Sequence, residues 1–104
     1  MDITKISPQV VNFLHDQDNK VALESMVEKY GLNNLEGKYY LGGLAKMKEG
    51  TTKEILSSQG VIIGTQAGNI WTVSIPIDKV RDIAKMDELI YLESKKVGLK
   101  NKQE

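Results

Sequence analysis

The chain has 104 residues, with 14 basic and 14 acidic side chains that cancel, so it bounds one domain with a modest core and no global field to draw nucleic acid or anionic lipid. Cysteine is absent, which excludes a disulfide framework, a thiolate metal site and a cysteine nucleophile, and is compatible with either side of a membrane. Hydrophobic content of 40% is ordinary for a globular chain, no run approaches the ~18 apolar residues of a membrane span, and the N-terminus lacks the basic-then-apolar order of a signal peptide.

Ser7-Pro8 signals a helix start, a capping hydroxyl followed by proline at the first helical position. Val10, Val11, Phe13 and Leu14 supply its apolar face, and His15 to Lys20 reads as a polar loop. A second helix follows with Leu23, Met26, Val27 and Tyr30 at helical spacing, stopped by Gly31-Leu32. Residues 33–37 read as a turn-rich connection, so residues 1–36 are expected to form an N-terminal helical extension whose apolar residues pack on the domain.

Lys38 to Lys48 reads as the first strand, with Leu41, Gly43, Ala45 and Met47 on one face and Tyr40, Gly42, Leu44, Lys46 and Lys48 on the other. Gly42-Gly43 inside it predicts a bulge or a close backbone approach. A phosphate loop is disfavoured there, because no helix opening on Gly-Lys-Ser/Thr follows. Thr51 with Glu54 three residues on predicts a capping box and a helix over 51–59, ended by Gly60.

Two β-branched runs flank Gln66-Ala67-Gly68-Asn69 and predict a hairpin. Pro76 stops the second of these strands, and Ile77, Val80, Ile83 and Ala84 then share one face of a helix over 78–86. Leu89 to Glu93 forms the last strand, and residues 95–104 a basic, flexible tail. Alternation turns Trp71, Val73, Ile75, Ile90 and Leu92 toward the helices. It leaves Ile70, Thr72, Ser74, Tyr91 and Glu93 on an open face, suited to docking but also compatible with a plain solvated sheet surface.

The order from Lys38 onward is strand, helix, strand, strand, helix, strand. This is an α+β, ferredoxin-like βαββαβ plan, an antiparallel four-stranded sheet with both helices on one face, over residues 37–94. Trp71 is expected between sheet and helices.

Chemistry-bearing constellations are not found. The chain has one histidine, His15, so neither a Ser-His-Asp arrangement nor a multi-histidine metal site is expected. Asp16 and Asp18 are spaced like the start of a calcium loop, but Val21 and Val27 stand where that loop needs glycine and glutamate. An RNA-recognition module would need central-strand aromatics in a basic setting, and the chain is neutral. A small-molecule-sensing module on the same fold would use strand-helix loops such as Lys48 to Thr52, and the fold alone does not choose among these functions.

Gly60-Val61-Ile62-Ile63, Gly68 to Pro76, Lys79-Val80, Ile83-Ala84 and Leu89 to Glu93 together resemble the N-terminal propeptide, or inhibitor-like, domain of bacterial subtilisin-family serine peptidases. Lys5-Ile6-Ser7-Pro8 is similar to a segment that precedes the domain in many of them. The likeness covers about two-thirds of the chain and is carried by scaffold residues. Asp87-Glu88 stands where the family often has Pro-Gly, and Trp71 where a small residue is usual.

The resemblance implies a non-catalytic module with no cofactor, no metal, no nucleic acid and no membrane insertion. Its partner would be a subtilisin-like peptidase domain, in the same chain or another, which it inhibits and helps to fold. Ile70, Thr72, Ser74, Tyr91 and Glu93 would dock on that domain, and the tail from Lys95 and Lys96 to Lys100 would enter the substrate cleft. The family's Asp, His and Ser catalytic motifs have no counterpart among these residues. The implied location is secreted or cell-envelope, for an exported peptidase whose signal has been removed. The alternative is a sensing or protein-interaction module on the same fold.

Overall fold

A computed structural model describes residues 5–95 of the chain. Ser7 caps the first helix, α1 (Pro8–Asp18), its Oγ accepting the Val10 N–H at 3.4 Å, with Pro8 at the first helical position. The helix runs on through His15 and Asp18, where a polar loop was expected. Its last turn is fastened by tertiary bonds that no local pattern announces: Gln17 Nε2 donates to the Ile77 carbonyl, and Asp18 pairs with Arg81.

Helix α2 (Leu23–Tyr30) ends on Gly31 at φ 63°, the left-handed conformation that glycine adopts without penalty. The next three residues form a short strand, β1 (Asn33–Leu35), rather than a loose connection. Glu36 and Gly37 turn it into β2 (Lys38–Met47) with positive φ at both positions, as a two-residue hairpin matched to strand twist requires. Asn34 Oδ1 accepts the Gly37 N–H at 3.0 Å and holds the turn. The N-terminal extension therefore contributes a strand as well as two helices.

Helix α3 (Glu54–Ser57) is shorter than expected, and the Thr51–Glu54 capping box does not form. The Thr51 N–H already donates to the Lys48 carbonyl at 3.1 Å, so a Glu54 side chain has no N–H there to accept. Strands β3 (Ile62–Ala67) and β4 (Ile70–Pro76) make the expected hairpin, turning on Gly68 and Asn69. After Pro76 a 3-10 turn over Ile77–Lys79 leads into α4 (Val80–Ala84), and β5 (Leu89–Ser94) closes the fold.

The architecture is α+β, with an antiparallel sheet of five strands rather than four. β4 lies between β3 and β2, while β1 and β5 share the other edge of β2, over residues 38–40 and 43–47. Ile6 adds a single parallel bridge outside β5, at Leu92.

One buried cluster joins the helices to one sheet face. Val10, Phe13 and Leu14 of α1, Met26 of α2, Leu56 of α3 and Val80, Ile83 and Ala84 of α4 meet Leu41, Ala45, Met47, Trp71, Val73, Ile75, Leu89 and Leu92 of the strands. Trp71 is 3% exposed, as its place in the β4 alternation predicts, and its Nε1 donates to the Gly68 carbonyl. The two N-terminal helices are thus part of the domain core. Their burial removes apolar area that neither could hide alone.

β5 departs from simple alternation. Lys46 pairs with Tyr91 but Met47 pairs with Leu89, so two residues of β5 are spent on one step of β2. Such a bulge resets which side chains face in. Leu89 is buried at 1% and Ile90 is 39% exposed, the reverse of the expected assignment.

Candidate functional site

The sheet face turned away from the buried cluster is the candidate site. Register rather than sequence proximity assembles it. Lys46 on β2 is flanked by Ile70 on β4 and Tyr91 on β5. Two residues along β2, Leu44 is flanked by Thr72 and Glu93. Two further, Gly42 faces Ser74, whose other neighbour is Ile62 of β3.

The structure sorts the expected docking residues into three groups. Ile70, Tyr91 and Glu93 are exposed and lie on adjoining rows of one face. Thr72 is half-buried and its Oγ1 accepts the Thr65 N–H at 2.7 Å, so its hydroxyl already serves the β3–β4 hairpin. Ser74 is 1% exposed and is not a surface residue: it sits on a central strand with partners on both sides.

Lys95 is exposed, yet its N–H donates to the Gly42 carbonyl at 3.0 Å, so the chain is still in sheet register there rather than loose. Lys96 and the rest of the expected tail lie outside the described residues.

Sequence reasoning left Lys46, Leu44 and Ile90 out of the site. Lys46 and Leu44 carry a usable signal, since they alternate with the buried Ala45 and Met47. Ile90 carries none, because a bulge in β5 exposes it.

Ser7 holds the end of β5 at two points. The Ser7 N–H donates to the Leu92 carbonyl at 2.9 Å, and the Ser94 N–H donates to Ser7 Oγ at 3.4 Å. Lys5 Nζ also donates to the Met86 carbonyl. Residues 5–7 thus occupy the outer edge of β5, leaving the outer edge of β3 as the longer unpaired edge among the described residues.

Elsewhere the polar clusters serve the scaffold. Asp16 Oδ2 accepts from Tyr30 Oη at 2.7 Å and pairs with Lys29 Nζ at 2.9 Å. The Tyr30 hydroxyl, and next the Lys29 ammonium, hold the Asp16 carboxyl below the usual carboxylate range. Lys29 is raised by the same hydrogen bond, while Tyr30 is raised first by burial and then by Asp16. Asp16 and Asp18 point to different partners, and no cluster of potential metal ligands occurs among the described residues. No helix among them is long and apolar enough to cross a membrane.

A cavity of about 230 Å³ lies where the Lys48–Thr51 loop meets the Gly68-Asn69 turn, with Trp71 also in its lining. Two of its polar side chains are spent internally, Asn69 Nδ2 on the Met47 carbonyl and Trp71 Nε1 on the Gly68 carbonyl. No family model, curated protein or solved structure matches this chain.

Proposed function

We propose that this chain is a propeptide-like module that docks on a subtilisin-like serine peptidase, inhibiting it and assisting its folding. The observation that carries the reading is the uncovered sheet face, where Ile70, Ile90 and Tyr91 stay 36–44% exposed although the helices bury the opposite face almost completely. Exposed large apolar side chains gathered on one regular surface fit a protein-docking face better than a solvated one. In this reading Glu93 rims the surface, Lys95 stands at its edge, and the segment that would enter the substrate cleft, with Lys96, lies outside the described residues.

Strands β5, β2, β4 and β3 are neighbours in that order, each antiparallel to the next, with α3 and α4 in the two crossovers. This supports a ferredoxin-like core to which β1 and the N-terminal helices are added. Such a core suits the function because it leaves one sheet face free of helices.

The test is titration of the purified chain against the subtilisin-like peptidase domain encoded in the same genome. Falling activity with rising concentration is expected, together with faster recovery of activity when the denatured peptidase refolds in its presence. Unchanged activity at high micromolar concentration would overturn the reading.

A small-molecule-sensing module is the second reading, supported by the cavity beside Lys48, Glu49 and Thr51. It is the weaker one, because Asn69 and Trp71 already have internal partners.

A further inference from the structure

Five large apolar residues of the described chain are notably exposed, and three of them, Ile70, Ile90 and Tyr91, lie on the two strands that flank one charged side chain. That side chain is Lys46. Register sets Ile70 on one side of it and Tyr91 on the other, and the β5 bulge brings Ile90 and Tyr91 together opposite it. Lys46 is exposed and forms no ion pair among the described residues. Glu93, on the same face, stands one row away opposite Leu44 and is not bridged to Lys46.

This arrangement constrains what can dock. A partner that covers Ile70 and Tyr91, on the strands either side of Lys46, also lies over the lysine's place between them. Stripping water from an unpaired ammonium is costly and opposes the gain from the apolar contacts. The cost is offset when the partner brings a carboxylate to the same point, and a charge pair ringed by apolar contacts is protected from water.

We infer that Lys46 is the specificity-determining residue of the docking face, and that its partner is a protein surface presenting an Asp or Glu carboxylate flanked by apolar side chains. The inference rests on the docking reading above and names the chemistry of its partner. A lysine whose only role is solubility would sit as well outside the apolar ring as inside it.

The test uses the full chain and three variants, Lys46→Met, Lys46→Arg and Lys46→Glu, titrated against the same peptidase domain at low and high salt. Thermal midpoints for the variants serve as a folding control, expected near that of the parent because Lys46 is exposed. Lys46→Met removes the charge but keeps most of the length. It should raise the inhibition constant at least ~30-fold, the counterpart of losing one member of a covered charge pair. Lys46→Glu should weaken inhibition further, and Lys46→Arg should retain most of it. Salt should slow association of the parent more than that of Lys46→Met. If the parent inhibits and Lys46→Met inhibits as well or better, the carboxylate inference is overturned while the docking reading stands. If the parent itself does not inhibit, both fall together.

Discussion

Gly43 and the Glu93 carbonyl are so close that a Cβ added at Gly43 would lie 2.6 Å from that oxygen and 3.3 Å from Leu92 Cδ1. The close approach expected of the Gly42-Gly43 pair is thus made by β5, on the edge of β2 that it shares with β1. Backbone cannot give way as the end of a flexible side chain can. Gly43→Ala should therefore push β5 away from β2 and destabilise the fold by about 1–3 kcal/mol, typical of overpacking. The check is the urea midpoint of the variant, and a midpoint equal to the parent's would show that β5 adjusts freely.

Ser7 joins two distant points of the chain. Its Oγ accepts from Val10 at the start of α1 and from Ser94 at the end of β5, both at 3.4 Å. Ser7→Ala should cost about 1 kcal/mol as a lost helix cap. It should also raise amide exchange at Ser94, some 87 positions away in sequence. Hydrogen exchange followed residue by residue distinguishes a change confined to α1 from one that reaches β5.

Deleting residues 1–36 removes Val10 and Phe13, both 0% exposed, Leu14 at 2% and the whole of β1. Each such side chain contributes about 1.5–3 kcal/mol by burial. Total domain stability is about 5–15 kcal/mol. The truncated chain should show no cooperative unfolding transition above about 25 °C, whereas an unchanged denaturation midpoint would mean that the extension is an independent appendage.

The Asp16–Tyr30–Lys29 cluster predicts two limbs of pH dependence. A carboxyl depressed by folding adds stability that is fully present above its unfolded value, about 3.9, and is lost as pH falls through the folded value. Lys29 and Tyr30 are raised instead, so their contribution is fully present below about 10 and is lost as pH rises through the folded values. Asp16→Asn should flatten both limbs of a plot of urea midpoint against pH. Parallel curves for parent and variant would show that the cluster is energetically silent.

Tyr91, 36% exposed beside Lys46, should tolerate substitution in the free domain and not in the complex. Tyr91→Lys should leave the thermal midpoint nearly unchanged while weakening inhibition by about 2 kcal/mol or more, as at an aromatic hot spot. It also sets a second cation beside Lys46. Equal inhibition by parent and variant would place the contact surface elsewhere.

Local chemistry determined much of this protein directly. Ser7-Pro8 starts a helix, Gly31 ends one, the Gly68-Asn69 turn joins β3 to β4, and Trp71, Val73 and Ile75 turn inward together. Each depends on backbone torsion or side-chain direction within about four residues, which the sequence states openly. Tertiary structure alone decided the rest. β1 exists because β2 is beside it, α1 continues to Asp18 because Ile77 and Arg81 meet its last turn, and Thr51 cannot complete a capping box because Lys48 has taken its N–H. Ile90 faces out and Leu89 in because β5 pairs with β2 through a bulge, and Lys46 gains its apolar neighbours from strands 24 and 45 residues further along the chain. Those outcomes depend on which backbone comes to lie alongside another, a long-range choice made by burial of the whole core, to which a short stretch of sequence contributes only a part.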